Sequence, residues 1–132
     1  TQSALLGSLA GYQKHKAAGG SAANTMVGVT QFGGSAFFTG KIGKDPFGDL
    51  YRESLTEVGV AFDSPVDDIL PTGTCLILVT KDGERTMQTS LSAAAELKAS
   101  DIDPEKICYR CEDFGVVGLY GPGDFQDCAK PL

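Results

Sequence analysis

Ala18-Gly19-Gly20-Ser21-Ala22-Ala23-Asn24 is the stretch from which the fold is read. It is a run of small residues that ends in the only asparagine of the chain. Paired glycines let a backbone bend and come close to a ligand. A helix-compatible segment follows, and the free N–H groups at the start of a helix can face that ligand. Asn24 adds a side chain that both donates and accepts hydrogen bonds, which suits a polyol. A Gly-Gly before a helix is often no more than a turn, so the residues on either side decide.

Downstream, Ser21 to Phe32 reads as a helix, with Ala22, Ala23 and Gly28 keeping one face thin enough to pack on a sheet. Gly33-Gly34 stops it. Ser35 to Gly40 reads as a buried strand, because Ala36, Phe37 and Phe38 are continuous rather than alternating. Asp45-Pro46 is an N-cap followed by proline, a helix start. Phe47, Leu50, Tyr51, Leu55 and Val58 recur at helical spacing until Gly59. Strand, helix and strand with glycine punctuation indicate an α/β unit.

Beyond Gly59, Val60 to Val66 reads as extended and Thr72 to Thr80 as a strand, in which Cys75 is expected in the core. Lys81-Asp82-Gly83-Glu84 reads as a type I′ hairpin turn, returning through Arg85 to Ser90. Ala93 to Leu97 is a short helix-prone run, Asp103-Pro104 opens a helix through Tyr109, and Phe114 to Tyr120 reads as a strand. Gly121-Pro122-Gly123-Asp124 is a turn. Upstream, Thr1 to Gly11 reads as a short helix with Leu5, Leu6 and Leu9 on one side, and the polar stretch to Ala18 carries His15, read as a surface residue.

The order Gly19-Gly20, Asn24, Gly33, then Gly40-Lys41-Ile42-Gly43-Lys44-Asp45-Pro46-Phe47-Gly48 resembles the N-terminal signature of the PfkB family, the ribokinase-like sugar and nucleoside kinases. Pro71 to Cys75 and Asp82 to Met87 also look like family text, and the resemblance fades after Ile107. Met26 departs from it, standing where the family prefers Ser, Thr or Ala. The resemblance implies a partial Rossmann-like, ribokinase-type parallel sheet flanked by helices, with a small β-hairpin lid. It implies one truncated domain over residues 1–132, with lid elements at about 12–19 and 60–90. It implies that Gly19, Gly20, Ser21 and Asn24 bind the substrate hydroxyls, the glycine pair acting as the hinge of closure. Gly43 and Asp45 correspond to a mainly structural turn. Arg85 could contact the anionic end of the site or be an ordinary exposed hairpin residue.

The resemblance further implies ATP and Mg²⁺ for a complete family member. Its catalytic Asp belongs to a Gly-Ala-Gly-Asp-like loop near the C-terminus, and Gly121 to Asp124 is too early and carries Pro122. Its sugar-gripping Asp would lie upstream of Thr1, and an opening on Thr1 rather than Met leads to the expectation of residues there. These residues by themselves are therefore expected to lack the ATP-site half, and no catalytic or metal-binding residue is assigned among them.

Other chemistries are set aside on their motifs. Gly40-Lys41 lacks the first glycine and the hydroxyl of a P-loop. There is no dinucleotide fingerprint, nucleophile elbow or EF-hand. The net charge of −6 argues against a nucleic-acid surface, and no apolar run approaches the roughly 20 residues of a membrane span. Cys108 and Cys111 have C-x-x-C spacing. Only Cys128 and His15 could complete a zinc site, at untypical spacing, so the pair is read as reduced, one turn apart near the end of a short helix. A reducing compartment follows: cytoplasm, or an organelle matrix or stroma. Two functional readings stand: the substrate-and-lid half of an ATP-dependent sugar or nucleoside kinase, or a non-catalytic, kinase-derived subunit whose incomplete sheet a protein partner covers. A carbohydrate-binding module is a third.

Overall fold

The computed structural model describes residues 2–103 and the backbone of residues 116–120. The elements run α1 (Gln2–Ser8), α2 (Ser21–Gln31), β1 (Ala36–Gly40), β2 (Ile42–Gly43), α3 (Pro46–Glu57), β3 (Ala61–Phe62), β4 (Val66–Asp67), β5 (Thr74–Val79), β6 (Arg85–Ser90) and β7 (Val116–Tyr120). Two 3₁₀ turns, Ser92–Glu96 and Ala99–Asp101, lie between β6 and β7.

Strand β1 is the centre of the sheet. It is buried along its whole length, as its unbroken apolar run requires. It pairs in parallel with β3 on one side and β7 on the other, Phe37 opposite Ala61 and Val117. Ala23 and Met26 of α2, Ala36 and Phe38 of β1, Leu55 of α3 and Val60 close a single cluster. Phe38, Tyr51 and Phe62 add ring contacts with centroids 5.8 to 6.2 Å apart. Burying a side chain such as Leu55, 2 % exposed, stabilises by about 2 kcal/mol. The α/β architecture and the parallel sheet expected from the sequence are therefore present.

Several expectations differ from the structure. Cys75 is exposed rather than in the core, because among the described residues β5 pairs only with β6 and the ribbon leaves one face in solvent. The hairpin turn is not type I′, which needs positive φ at both central residues. Only Gly83 has positive φ, at 86°, and its N–H donates to the Thr80 carbonyl at 2.9 Å, as in a three-residue loop closed by a glycine bulge. Ala23 is buried in the face that α2 turns to the sheet, while a Cβ at Gly28 would meet no described atom within 4 Å.

The run Ala93 to Leu97 forms a 3₁₀ turn instead of an α-helix. Segment 60–67, grouped with the lid in the sequence reading, pairs through β3 with β1 in the three-stranded sheet and through β4 with β2 in a separate two-stranded sheet. The helix expected after Asp103-Pro104, the turn at 121–124, and Cys108, Cys111 and Cys128 lie outside the described residues.

Candidate substrate site at the start of α2

Gly20 is the residue before α2 and holds φ 111° and ψ 139°, a conformation that side-chain-bearing L residues rarely adopt. It carries no side chain to cap the helix, and no side-chain cap bond is present there among the described residues. The first N–H groups of a helix have no partner within it, so those following Gly20 form a set of donors at the helix's positive end. The Asn24 N–H makes the first helical bond, donating to the Gly20 carbonyl at 2.9 Å. The Asn24 side chain is exposed and makes no hydrogen bond among the described residues. Thr25 uses its hydroxyl locally, donating to the Ser21 carbonyl at 2.9 Å.

The space around this turn is open. A Cβ at Gly19 would meet nothing within 4 Å, and one at Gly20 only the Tyr51 hydroxyl, at 3.9 Å. Gly19, Gly20, Ser21 and Asn24 are thus brought together in one turn, all exposed. Arg85 stands elsewhere, exposed at the turn end of the hairpin opposite Val79, with no salt bridge among the described residues.

Tyr51 entered the sequence reading only as one of the residues recurring at helical spacing in α3. Its ring does lie in the aromatic cluster, yet its hydroxyl reaches the glycine turn. Only the topology, which lays α3 beside the start of α2, reveals that neighbourhood. Lys16, just before the glycines, places its ammonium 5.1 Å from the Phe47 ring centre and ties the approach segment to α3.

A second polar centre sits at the start of α3. Asp45 accepts the N–H groups of Phe47 at 3.1 Å and Gly48 at 2.8 Å, the expected N-cap. It also accepts the Thr72 hydroxyl and the Thr72 N–H, each at 2.7 Å. The Thr72 hydroxyl in turn accepts the Gly43 N–H at 3.0 Å. Burial pushes the Asp45 carboxyl up, but the donors from Thr72, Gly48 and Phe47 outweigh it and hold the group below the ordinary carboxylate range.

Lys41, just past β1, lies 3.2 Å from the Asp101 carboxylate and 3.6 Å from that of Asp67. The hydrogen bond to Asp101 raises the ammonium pKa, burial opposes it, and the charges of Asp101 and Asp67 add to the rise. Asp67 is held low first by the N–H groups of Leu70 and Ile69. Asp101 is held low first by the Lys98 N–H, against burial and with help from Lys41. This triad joins the residue after β1, the end of β4 and the second 3₁₀ turn.

The description "pfkB family carbohydrate kinase" matches residues 8–123. The chain belongs to the PfkB family. A fructokinase of Klebsiella pneumoniae is 34% identical over 89 residues, which are 65% of this chain and 29% of that protein. An adenosine kinase structure from Sinorhizobium meliloti aligns with a TM-score of 0.70 at 36% identity, covering 80% of this chain and 32% of that one. A fructokinase structure from Xylella fastidiosa with bound ATP aligns with a TM-score of 0.60 at 27% identity, covering 67% and 29%. This PfkB chain spans less than a third of the length of these relatives. Its fold is that of the ribokinase-type kinases. Among the described residues no helix is long and apolar enough to cross a membrane.

Proposed function

We propose that this chain supplies the substrate-gripping turn and the lid of an ATP-dependent kinase that phosphorylates a hydroxyl of a sugar or nucleoside. The observation that carries the reading is the uncapped, open start of α2, with Gly20 at φ 111° and the Asn24 carboxamide exposed beside it. Hydroxyls of a polyol can accept from the free helix N–H groups and both donate to and accept from Asn24. Glycines at 19 and 20 let the substrate approach the backbone without meeting a Cβ. Ser21 adds a hydroxyl in the same turn, and Arg85 is a weaker candidate for the anionic end.

The lid in this reading consists of the approach segment 12–19 and the β5–β6 hairpin. Closing it over the substrate excludes water and aligns the attacking hydroxyl. ATP and Mg²⁺, when bound, supply the phosphoryl group and offset its charge. Among the described residues no three His, Cys, Asp or Glu side chains converge, and Gly40-Lys41 is not a P-loop. The base, the phosphate cradle and the metal ligands are assigned to other residues of the whole protein.

Phosphoryl transfer by the intact protein, with ATP and Mg²⁺ and with fructose or adenosine as acceptor, tests the proposal through ADP release. Turnover of one acceptor is expected, with Asn24→Ala lowering kcat/KM about 10- to 100-fold by removing hydrogen bonds to the substrate. A wild-type rate at Asn24→Ala would sink the site. A protein that releases no ADP with any sugar or nucleoside would support the second reading, a non-catalytic subunit. The exposed apolar side chains of the hairpin, Ile77, Val79 and Met87, favour a covering partner in that case.

A further inference from the structure

Helix α3 offers one face to the chain that leads into α2. Phe47 and Tyr51 are four residues apart, so they stand one turn apart on the same side of the helix. Each meets a different point of the incoming segment. The Lys16 ammonium lies 5.1 Å from the Phe47 ring centre. The Tyr51 hydroxyl lies 3.9 Å from where a Cβ on Gly20 would stand, and beyond the chain neighbours of Gly20 no other described atom comes within 4 Å of that position.

The two side chains are held in different ways. Phe47 is 44 % exposed and stands outside the buried cluster, so its ring is left to receive the ammonium. Tyr51 is partly buried, its ring centre 6.2 Å from that of Phe38 and 5.8 Å from that of Phe62, which fixes where the hydroxyl ends. The helix that carries them is anchored in turn. Asp45 caps it through the Phe47 and Gly48 N–H groups and takes two hydrogen bonds from Thr72. The glycine turn has no comparable support of its own. A Cβ at Gly19 would meet nothing within 4 Å, and α2 has no side-chain cap bond among the described residues. Yet the Gly20 carbonyl accepts the Asn24 N–H at 2.9 Å. Where Gly20 rests therefore decides where Asn24 and the free N–H groups of α2 point.

We propose that Phe47 and Tyr51 form a seat on α3 that sets the position of residues 16–20, and with it the aim of the α2 start. Lys16 is clasped to the Phe47 ring, and the Tyr51 hydroxyl is the stop against which Gly20 rests. Both are positioning residues, and neither is assigned a contact with the substrate. Packed rings on a capped helix hold an open turn more closely than the turn can hold itself, and a displaced turn misaims every donor it carries. That the turn receives a sugar or nucleoside rests on the kinase reading; the seat itself does not.

Proton–nitrogen correlation spectra and acceptor kinetics on the intact protein test it together. Tyr51→Phe keeps the ring contacts and removes only the hydroxyl. The Gly20, Ser21 and Ala22 amide signals are expected to move, those of β6 to stay, and the denaturant midpoint to hold. In turnover, KM for fructose or adenosine is expected to rise about 3- to 10-fold with KM for ATP unchanged. Lys16→Met keeps the stem and removes the charge. It is expected to move the same signals, and Lys16→Arg, which keeps a cation for the ring, to leave them in place. Unmoved signals at 20–22 in Tyr51→Phe would overturn the seat. So would a lower denaturant midpoint with signals moved throughout, since the hydroxyl then serves folding in general. Moved signals with an unchanged acceptor KM overturn the positioning role. A raised KM without moved signals does the same, since Tyr51 then touches the acceptor directly. Moved signals in a protein that turns over neither acceptor leave the seat standing and sink the kinase reading.

Discussion

Two glycine-bearing turns, Gly19-Gly20 before α2 and Gly43 to Gly48 before and within α3, look alike as sequence and behave in opposite ways. The first stands in open space, with only the Tyr51 hydroxyl near the position of a Cβ on Gly20. In the second, Gly43 is pressed against Leu70 and Thr72, and Gly48 against the Gly43 carbonyl and the Thr72 hydroxyl. One turn spends its missing side chains on access, the other on packing. That contrast separates binding from architecture more sharply than residue type does.

The contrast breaks most visibly at Asp45. Asp45→Ala removes the cap of α3, leaves the Thr72 N–H without its acceptor, and leaves the Thr72 hydroxyl only its longer contact to the Gly43 carbonyl at 3.4 Å. A cap is worth about 1 kcal/mol and each stranded buried donor about 1–3 kcal/mol, so a loss of about 3 kcal/mol is expected in denaturant unfolding. An effect below about 1 kcal/mol would mean that the carboxylate is not the joint it resembles. Gly43→Ala comes next, at about 2 kcal/mol, because the atoms its Cβ meets are backbone and cannot rotate away.

Acid titration sharpens the same comparison. Asp45, Asp67 and Asp101 all have carboxyls held below their ordinary value. Their folded pKa values are depressed, so their contribution is full above the unfolded carboxylate value of about 4 and is lost as pH falls through the lower folded values. The unfolding midpoint is therefore expected to drop as pH falls below about 4, and Asp45→Asn is expected to flatten part of that drop. Lys41 has the opposite sign. Its raised pKa stabilises below its unfolded value of about 10.4, and the contribution disappears as pH rises through the higher folded value.

The sequence made the local elements readable wherever one signal was enough. Asp45-Pro46 announced α3, the apolar run 36–40 announced a covered strand, and Asp82-Gly83 announced a turn. It could not pair Asp45 with Thr72, which lie far apart in the chain and meet only because β4 runs beside β2. The same gap explains Cys75: alternation within β5 is visible, but which face stays uncovered depends on the strands that do not join it. The candidate site was legible as a list of residues, Gly19, Gly20, Ser21 and Asn24, and became a geometry only with the φ of Gly20. Tyr51 carried no signal of its own, since an aromatic residue recurring at helical spacing reads first as a packing position.

The smallest expected effect is the most informative. Gly19→Ala adds a methyl where no atom lies within 4 Å, and the glycine holds no left-handed φ. Unfolding stability should therefore change by less than about 0.5 kcal/mol. Asn24→Ala removes an exposed side chain that bonds to no described residue, and a similarly small effect on stability is expected. Both substitutions nevertheless alter the turn proposed to hold the substrate. A stability change near zero, together with weakened binding of fructose or adenosine, would mark a surface kept for a ligand and not for the fold. If Gly19→Ala instead cost as much as Gly43→Ala, the two turns would be doing the same structural work and the division between them would fail.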